Sequence, residues 1–458
     1  MRPPLPPASL AATTAGRPGA PAVITADRMW TYAELDAEIA RWEHGPLSGL
    51  ESGMRVGIVA HPAAETIAAM WAAWRCGLAV LPVDPRAAGG STDEPSNRDP
   101  PLIDPPHTPA ASASPARRAK RAVAAPSDVM CLPATSGSAG GRKLVRITYG
   151  NAGAAVAASQ ERLGNEEDDA WLLSLPLWHV GGLSVLWRCA AAGGAVRLIT
   201  RFGGAAVAGV ISRGEVRWAS FVPTMLHRVL QARGSAPDRM RGILLGGAGA
   251  SPSLVRRALE SGLPVLATYG MTEACSQIAT VDPERPGDSL RGVGMPLPGL
   301  RVRIVDDAGS DVSAGSSGEI TIDGPNVAAG YDGEPDLDGP FPTGDLGRFG
   351  SDGRLVVLGR RDDAIVTGGE KVHPRRVEDV LGAHPGVESC AVFGVADPEW
   401  GHAVTAVVVG DVAVAELRGF ARSRLAPHEL PKRWRFVEEL PLLASGKVDH
   451  RALAEPEM

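Results

Sequence analysis

The chain has 458 residues, too many for one ordinary core, so two or three domains are expected. Lys+Arg is 46 against Asp+Glu 52, a net charge of −6, which excludes a nucleic-acid protein held by bulk charge. Hydrophobic residues at 44% and charged residues at 21% give a globular balance, with apolar runs broken by Gly, Arg or His well short of a membrane span.

The opening segment, MRPPLPPASLAATTAG, has one Arg and no continuous apolar stretch, so it is not expected to be a secretory leader. Cys76, Cys131, Cys189, Cys275 and Cys390 are scattered with no CxxC pair, which reads as reduced core cysteines in a cytoplasmic protein. Thr31 and Glu34 in TYAEL have capping-box spacing and predict a helix running to about Glu43. RVGIVA then reads as a buried strand, followed by a helix through Trp74 and a second strand at LAVLPV, together a βαβ unit. Residues 86–127 are rich in Pro, Ala, Ser, Arg and Asp and nearly free of large apolar side chains. Such a segment cannot bury enough surface to order itself, so a flexible linker is expected.

From Met130 to Gly270 the strand-like runs WLLSLP, AVRLIT, WASFV, GILLGG and PVLATYG alternate with helical stretches. That rhythm predicts a mostly parallel sheet covered by helices. Past Val281 the texture changes to short β-like segments between Gly, Asp and Pro turns (RVRIVDD, GEITIDG, GRLVVLG). From about Arg361 a helix over Arg375–Leu381, strands at SCAVFGV and AVTAVVV and a helix near Val414–Arg424 predict a small α+β domain. The expected fold is therefore α/β: a large N-terminal domain, 1–360, of mostly parallel sheets with flanking helices and a β-rich subdomain, and a small domain, 361–458.

Several short segments carry chemistry. ATSGSAGGRKLV (Ala134–Val145) is a run of small residues after a strand, leaving N–H groups free to surround phosphate oxygens beside a Lys. It is not the Walker pattern, and by itself it could equally be a flexible turn. ATYGMTEACS ends a strand and delivers Thr272 and Glu273 to the edge where open parallel sheets bind ligands. A hydroxyl beside a carboxylate suits a phosphate with its Mg²⁺, though Thr-Glu could also be a helix cap. FPTGDLG sets Asp345 in what reads as a Gly-flanked turn, suited to ribose hydroxyls, with GRRDDAIVTGGEKVHP after it. LPLLASGKVDHRAL carries Lys447 on a Ser-Gly turn, where a lone Lys is usually just solvated.

In this order and spacing the five motifs resemble those of the adenylate-forming superfamily, which joins acyl- and aryl-CoA synthetases, luciferases and peptide-synthetase adenylation domains. The resemblance runs from TYAEL to SGKVDHRAL and omits only the linker. It implies an ATP- and Mg²⁺-dependent ligase that makes an acyl-adenylate and passes the acyl group to coenzyme A. The expected partners are a small carboxylic acid, ATP and CoA, with no nucleic acid and no membrane span; a homodimer is allowed. Residue by residue, Thr135, Ser136, Gly137, Ser138 and Lys143 match the phosphate loop, with Ala139 and Arg142 where the family usually has a hydroxyl and a Pro. Gly247, Ala248 and Tyr269 match the adenine site, Thr272 the α-phosphate contact, Glu273 the Mg²⁺ carboxylate, and Asp345 with Arg360 the ribose edge.

The resemblance also implies that Lys447 bridges the acid and the α-phosphate in the first half-reaction. The small domain then swings about Asp362, bringing Thr367, Gly368 and Gly369 to the thiol arm, with Trp400, Lys432 and Arg433 at the CoA side. LPLWHVGGLSVLWR informs on the acid: His179 matches a gate at the acyl pocket, Ser276 falls in the same pocket, and Arg188 offers a counter-charge or is a helix-surface cation. Within the family this stretch is most like the branch that ligates o-succinylbenzoate for menaquinone synthesis, a substrate with two carboxylates. Another aryl- or fatty-acid ligase remains the alternative. An amino-acid adenylating domain is disfavoured because PLWHVGG offers no acid for an ammonium, and a catalytically silent relative because Thr272, Glu273, Asp345 and Lys447 are all retained.

Overall fold

The computed structural model describes residues 5–88, 101–105, 124–135, 143–232, 239–313, 315–443, 448–449 and 452–453. Two mostly parallel sheets form its centre. The larger has nine strands, and the run from Ala195–Leu198 through Ala170–Leu173, Trp218–Phe221 and Gly242–Leu245 to Val265–Tyr269 is parallel throughout. Antiparallel edges close it on both sides, Pro21–Ile24 with Met29–Thr31 at one end and Ala279–Thr280 with Met295–Pro296 at the other. The second sheet has five strands, in which Arg55–Val59 lies parallel to Ala79–Val83 as the βαβ reading expects.

Between the sheets lie two helices that are apolar nearly all round. AETIAAMWAAWR (Ala64–Arg75) buries ten of its residues from Ala64 to Trp74, and VGGLSVLWRCAAA (Val180–Ala192) buries Leu183, Val185, Leu186 and Trp187. A helix without a polar face has to be enclosed, and the enclosure here is aromatic. Trp74 packs edge-on against Trp71 at 5.0 Å and against Trp187 at 6.0 Å, each contact adding about 0.5–1.5 kcal/mol beyond burial. The Tyr32–His44 helix starts with the predicted capping box, Thr31 accepting from the Glu34 N–H while Glu34 answers the Thr31 N–H. A helix over Pro6–Gly16, for which the sequence carried no signal, covers the same core.

Two smaller sheets complete the fold. Arg301–Val305, Gly318–Asp323, Phe341–Phe349 and Leu355–Arg360 make a four-stranded antiparallel sheet. The last sheet is built on the nine-residue antiparallel pair Ser389–Asp397 and Gly401–Val409, with helices Pro374–Leu381 and Val414–Arg422 on a core of its own. The unpredicted strand Arg433–Phe436 runs parallel to Gly401–Val409. Among the described residues no helix is long and apolar enough to cross a membrane.

Two expectations need correction. Residues 86–127 are not linker throughout: Leu102–Ile103 adds an edge strand to the second sheet, with Gly57 facing Leu102 and Ile103 buried. The residues 89–100 and 106–123 of that segment lie outside the described ones. Asp345 is not in a turn but in the middle of the Phe341–Phe349 strand, opposite Arg360. A register shift between Leu346 and Gly347 makes this strand irregular, which is why its glycines read as a turn.

Candidate active site

Strands Gly242–Leu245 and Val265–Tyr269 are parallel neighbours with Leu245 opposite Ala267, so the loops that follow them leave side by side at one carboxyl edge. Gly247 and Ala248 lie exposed on the first loop and Tyr269 ends the second strand. The turn after Tyr269 folds tightly on itself. Cys275 and Ser276 both have positive φ, at 53° and 102°, and a Cβ on Gly270 would meet the Ser276 carbonyl oxygen at 1.5 Å. Backbone strain of this kind persists only where the surroundings enforce it. It holds Thr272, Glu273 and Ser276 within one short loop.

The residues expected at the nucleotide are bonded to one another. Tyr269 Oη donates to Asp345 Oδ2 at 2.6 Å, and Arg360 Nη1 lies 3.3 Å from the other oxygen, Oδ1. Burial pushes the Asp345 carboxyl above its usual range, with the Tyr269 and Arg360 bonds working against that rise. The Tyr269 phenol is pushed up by burial and by Asp345, so it stays a donor. Glu273 is buried, and Tyr331 Oη donates to its Oε1 at 2.8 Å.

The phosphate-loop motif is anchored at its ends: the Thr135 N–H donates to the Lys143 carbonyl at 2.8 Å and the Lys143 N–H to Thr135 Oγ1 at 3.3 Å. Ser136, Gly137, Ser138, Ala139 and Arg142 lie outside the described residues. Lys143 Nζ pairs with Glu334 at 2.9 Å and sits 4.7 Å from the Tyr331 ring centroid. Sequence reasoning missed both Tyr331 and Glu334. The available signals were an aromatic directly after Gly330 and the acidic run DGEPD.

Among the residues expected at the acyl pocket, the finding is Arg188. It lies on the Val180–Ala192 helix, only 4% exposed, and not on a helix surface. Its Nη2 donates to Ser276 Oγ at 3.2 Å, and its guanidinium lies 5.3 Å from the Trp171 ring centroid. Ser184, one turn earlier, reaches the same Ser276 oxygen at 3.3 Å. Burial holds the Arg188 guanidinium down to about 10, and no carboxylate among the described residues pairs with it. His179 is the residue just before this helix, its ring 6.0 Å from Trp178. A separate cavity of about 360 Å³ lies beside Trp178, lined by Leu173, Pro176, Arg228, Leu442 and Leu443; Arg188, Ser276 and His179 do not line it.

Lys447 itself lies outside the described residues; Leu442 and Val448, on either side of it in the sequence, pair antiparallel. Asp362 is exposed just past the Leu355–Arg360 strand. Gly368 and Gly369 make the turn between Ile365–Thr367 and Glu370–Val372. Around that turn the remaining predicted residues gather: Lys432 Nζ bonds Thr367 Oγ1 at 3.3 Å and lies 4.3 Å over the Trp400 ring, while Arg433 pairs with Asp397 at 2.7 Å. Among the described residues no three His, Cys, Asp or Glu converge as a metal cage. A single buried carboxylate, Glu273, nevertheless fits Mg²⁺, which takes one or two protein oxygens and completes its shell from phosphates and water.

The AMP-binding enzyme family matches residues 10–93 and 88–332, and the AMP-binding enzyme C-terminal domain matches 376–447. The 2-succinylbenzoate–CoA ligase of Bacillus licheniformis is 39% identical over 329 residues, 70% of this chain and 69% of that protein. That of Geobacillus kaustophilus is 41% identical over 338 residues, 71% of this chain and 69% of that protein. The o-succinylbenzoate CoA synthetase of Bacillus subtilis, solved with its acyl-adenylate intermediate, superposes with a TM-score of 0.85 at 31% identity, covering 98% of each chain. ATP-bound MatB from Rhodopseudomonas palustris superposes at 0.84 with 27% identity, covering 97% of this chain and 98% of that one.

Proposed function

This chain belongs to the AMP-binding enzyme family, and from that premise we infer that it is an ATP-dependent acid–CoA ligase acting on o-succinylbenzoate in menaquinone synthesis. The observation that carries the substrate is Arg188. A guanidinium enclosed by apolar residues is costly unless an anion meets it, and here its neighbours are hydroxyls and an aromatic face. A diacid supplies that anion: one carboxylate is activated while the other reaches Arg188, with Ser276 as a second contact and His179 at the pocket entrance. A monoacid would leave the cation unmatched.

Two displacements make the reaction. A carboxylate oxygen of the acid attacks the α-phosphorus of ATP and pyrophosphate leaves; the CoA sulfur then attacks the acyl carbon, its proton is lost and AMP leaves. Both partners of the first step are anionic, so the site must mask charge. Tyr269, with Gly247 and Ala248, holds the adenine, and Asp345 and Arg360 take the ribose. Thr272 contacts the α-phosphate, while Thr135, Ser136, Gly137, Ser138 and Lys143 take the β- and γ-phosphates. Glu273 would hold Mg²⁺, which neutralises charge on the phosphates. Lys447 supplies the cation between acid and α-phosphate.

For the second step, residues 361–458 turn about Asp362 and carry Gly368 and Gly369 to the thiol arm. The clustering of Trp400, Lys432 and Arg433 about that hairpin supports this assignment, since one rigid movement would deliver all of them together. Small molecules are its partners, without nucleic acid, and the chain works in the cytoplasm, which its five free cysteines suit.

Pyrophosphate release measured against a panel of acids tests the assignment. We expect o-succinylbenzoate to exceed benzoate and straight-chain acids. A preference for either of those would sink the substrate while leaving the ligase.

A further inference from the structure

The segment Ala329–Asp332 is laced to Leu144–Arg146, which follows the phosphate-loop motif. The Arg146 N–H donates to the Gly330 carbonyl at 2.8 Å, the Ala329 N–H to the Arg146 carbonyl at 3.0 Å and the Asp332 N–H to the Leu144 carbonyl at 2.8 Å. This lacing fixes Tyr331 opposite Val145 and between two charged groups of opposite sign. Its hydroxyl meets Glu273 Oε1 at 2.8 Å, and the face of its ring lies 4.7 Å from Lys143 Nζ. Glu273 is also tied from behind, its carbonyl accepting from the Ala328 N–H at 2.8 Å.

Of the four tyrosines in the chain, Tyr32 and Tyr149 are core residues donating to backbone carbonyls. Tyr331 is half-buried and donates to a carboxylate instead, and that carboxylate has no other hydrogen-bond donor among the described residues. An oxygen already holding a phenol proton is a poorer metal ligand than its twin. The bond therefore selects which oxygen of Glu273 is presented and stops the carboxylate from rotating, while the ring keeps the ammonium of Lys143 on the phosphate side.

We propose that Tyr331 is a positioning residue of the nucleotide–metal site: it orients Glu273 toward the cation that accompanies ATP and seats Lys143 beside it. Glu334, paired with Lys143 at 2.9 Å, occupies the ammonium until phosphate replaces it. The inference rests on the ATP-dependent reading above.

The test uses the full chain and Mn²⁺ as a spin probe with a non-hydrolysable ATP analogue, so that binding is read without turnover. Tyr331→Phe keeps the ring and removes only the bond to Glu273. We expect Mn²⁺ affinity in the presence of the analogue to fall about five- to thirtyfold, in line with losing a hydrogen bond to a charged group. Analogue binding in EDTA should stay within about twofold, because no metal is then involved. In a Glu273→Gln background, Tyr331→Phe should add little, since it acts through Glu273. Unchanged Mn²⁺ affinity in folded Tyr331→Phe overturns the proposal, as does equal weakening with and without metal, or full additivity with Glu273→Gln. Wild-type protein that fails to bind the analogue with Mn²⁺ would instead overturn the ATP-dependent reading itself.

Discussion

Tyr269 and Asp345, 76 positions apart in the chain, share a hydrogen bond of 2.6 Å across the junction of the large parallel sheet and the antiparallel sheet. The two residues expected to hold the base and the ribose of one nucleotide are thus a single unit before the nucleotide is present. Tyr269→Phe keeps the ring and cuts the bond. We expect the ATP KM to rise several-fold and stability to fall by about 1–2 kcal/mol, with the acid KM unchanged; initial rates and thermal melts decide this. An acid KM that rises in parallel would mean that the bond shapes the whole site.

Burial raises the Asp345 carboxyl, and the sign of its pH effect follows. Between its ordinary value of 3.8 and the raised native one, the folded chain binds more protons than the unfolded chain, so the group loses stability as pH rises through that window. Asp345→Asn does not titrate. Its melting temperature relative to wild type should therefore climb as pH is raised from about 4 to neutrality, while ATP binding is lost. A difference that is flat in pH would show that Asp345 titrates normally.

Arg188 should separate diacids from monoacids. Arg188→Ala is expected to lower kcat/KM for o-succinylbenzoate by about 2–4 kcal/mol, roughly thirty- to a thousandfold, because the distal carboxylate loses its partner. Any monoacid turned over by wild type should be affected little. Without substrate, Arg188→Met should melt no lower than wild type, since it replaces an unmatched buried cation by an apolar chain. Equal losses on both substrate classes would make Arg188 a structural cation.

Lys447→Ala should abolish adenylate formation yet leave thioester formation from supplied acyl-adenylate within about tenfold, because its charge is needed only at the α-phosphate. Measuring the two half-reactions separately checks this. Equal loss of both contradicts a swing between steps.

Removal of 106–123 should leave activity and melting temperature nearly unchanged, as its composition offers no apolar face. Removing 101–105 as well should lower the melting temperature by several degrees, because it strips the edge strand and Ile103 from the second sheet. Indifference to the longer deletion would show that this strand contributes nothing.

Those contrasts also show what a sequence discloses. Long apolar runs such as WLLSLP and GILLGG announce strands because burial on both faces leaves them no polar alternation. Leu102–Ile103 is invisible for the opposite reason: two residues in a Pro-rich stretch make no pattern, and only Gly57 across the sheet makes them a strand. Asp345 stood out in the sequence as a ribose candidate but not as a strand residue, since glycines that allow an irregular strand look like those that make a turn. Arg188 was ambiguous because a helix periodicity cannot say that both sides of the helix are covered. Tyr331 acquires its place only through backbone bonds to residues nearly two hundred positions earlier.

Two hydrogen bonds that dock the Pro374–Leu381 helix against the segment following Gly242–Leu245 end on main chain: Arg375 donates to the carbonyl of Ala250 and Ser253 to that of Gly382. Arg375 lies so close over Gly249 that a Cβ there would come within 1.7 Å of Nη1. A lock whose receptor is a peptide carbonyl tolerates drift at position 250, because every residue type presents the same oxygen, whereas a Cβ on Gly382 would meet the Ser251 Cβ at 2.8 Å. The donors and the two small residues at the contact set its strength, so this docking is inherited through Arg375, Ser253, Gly249 and Gly382.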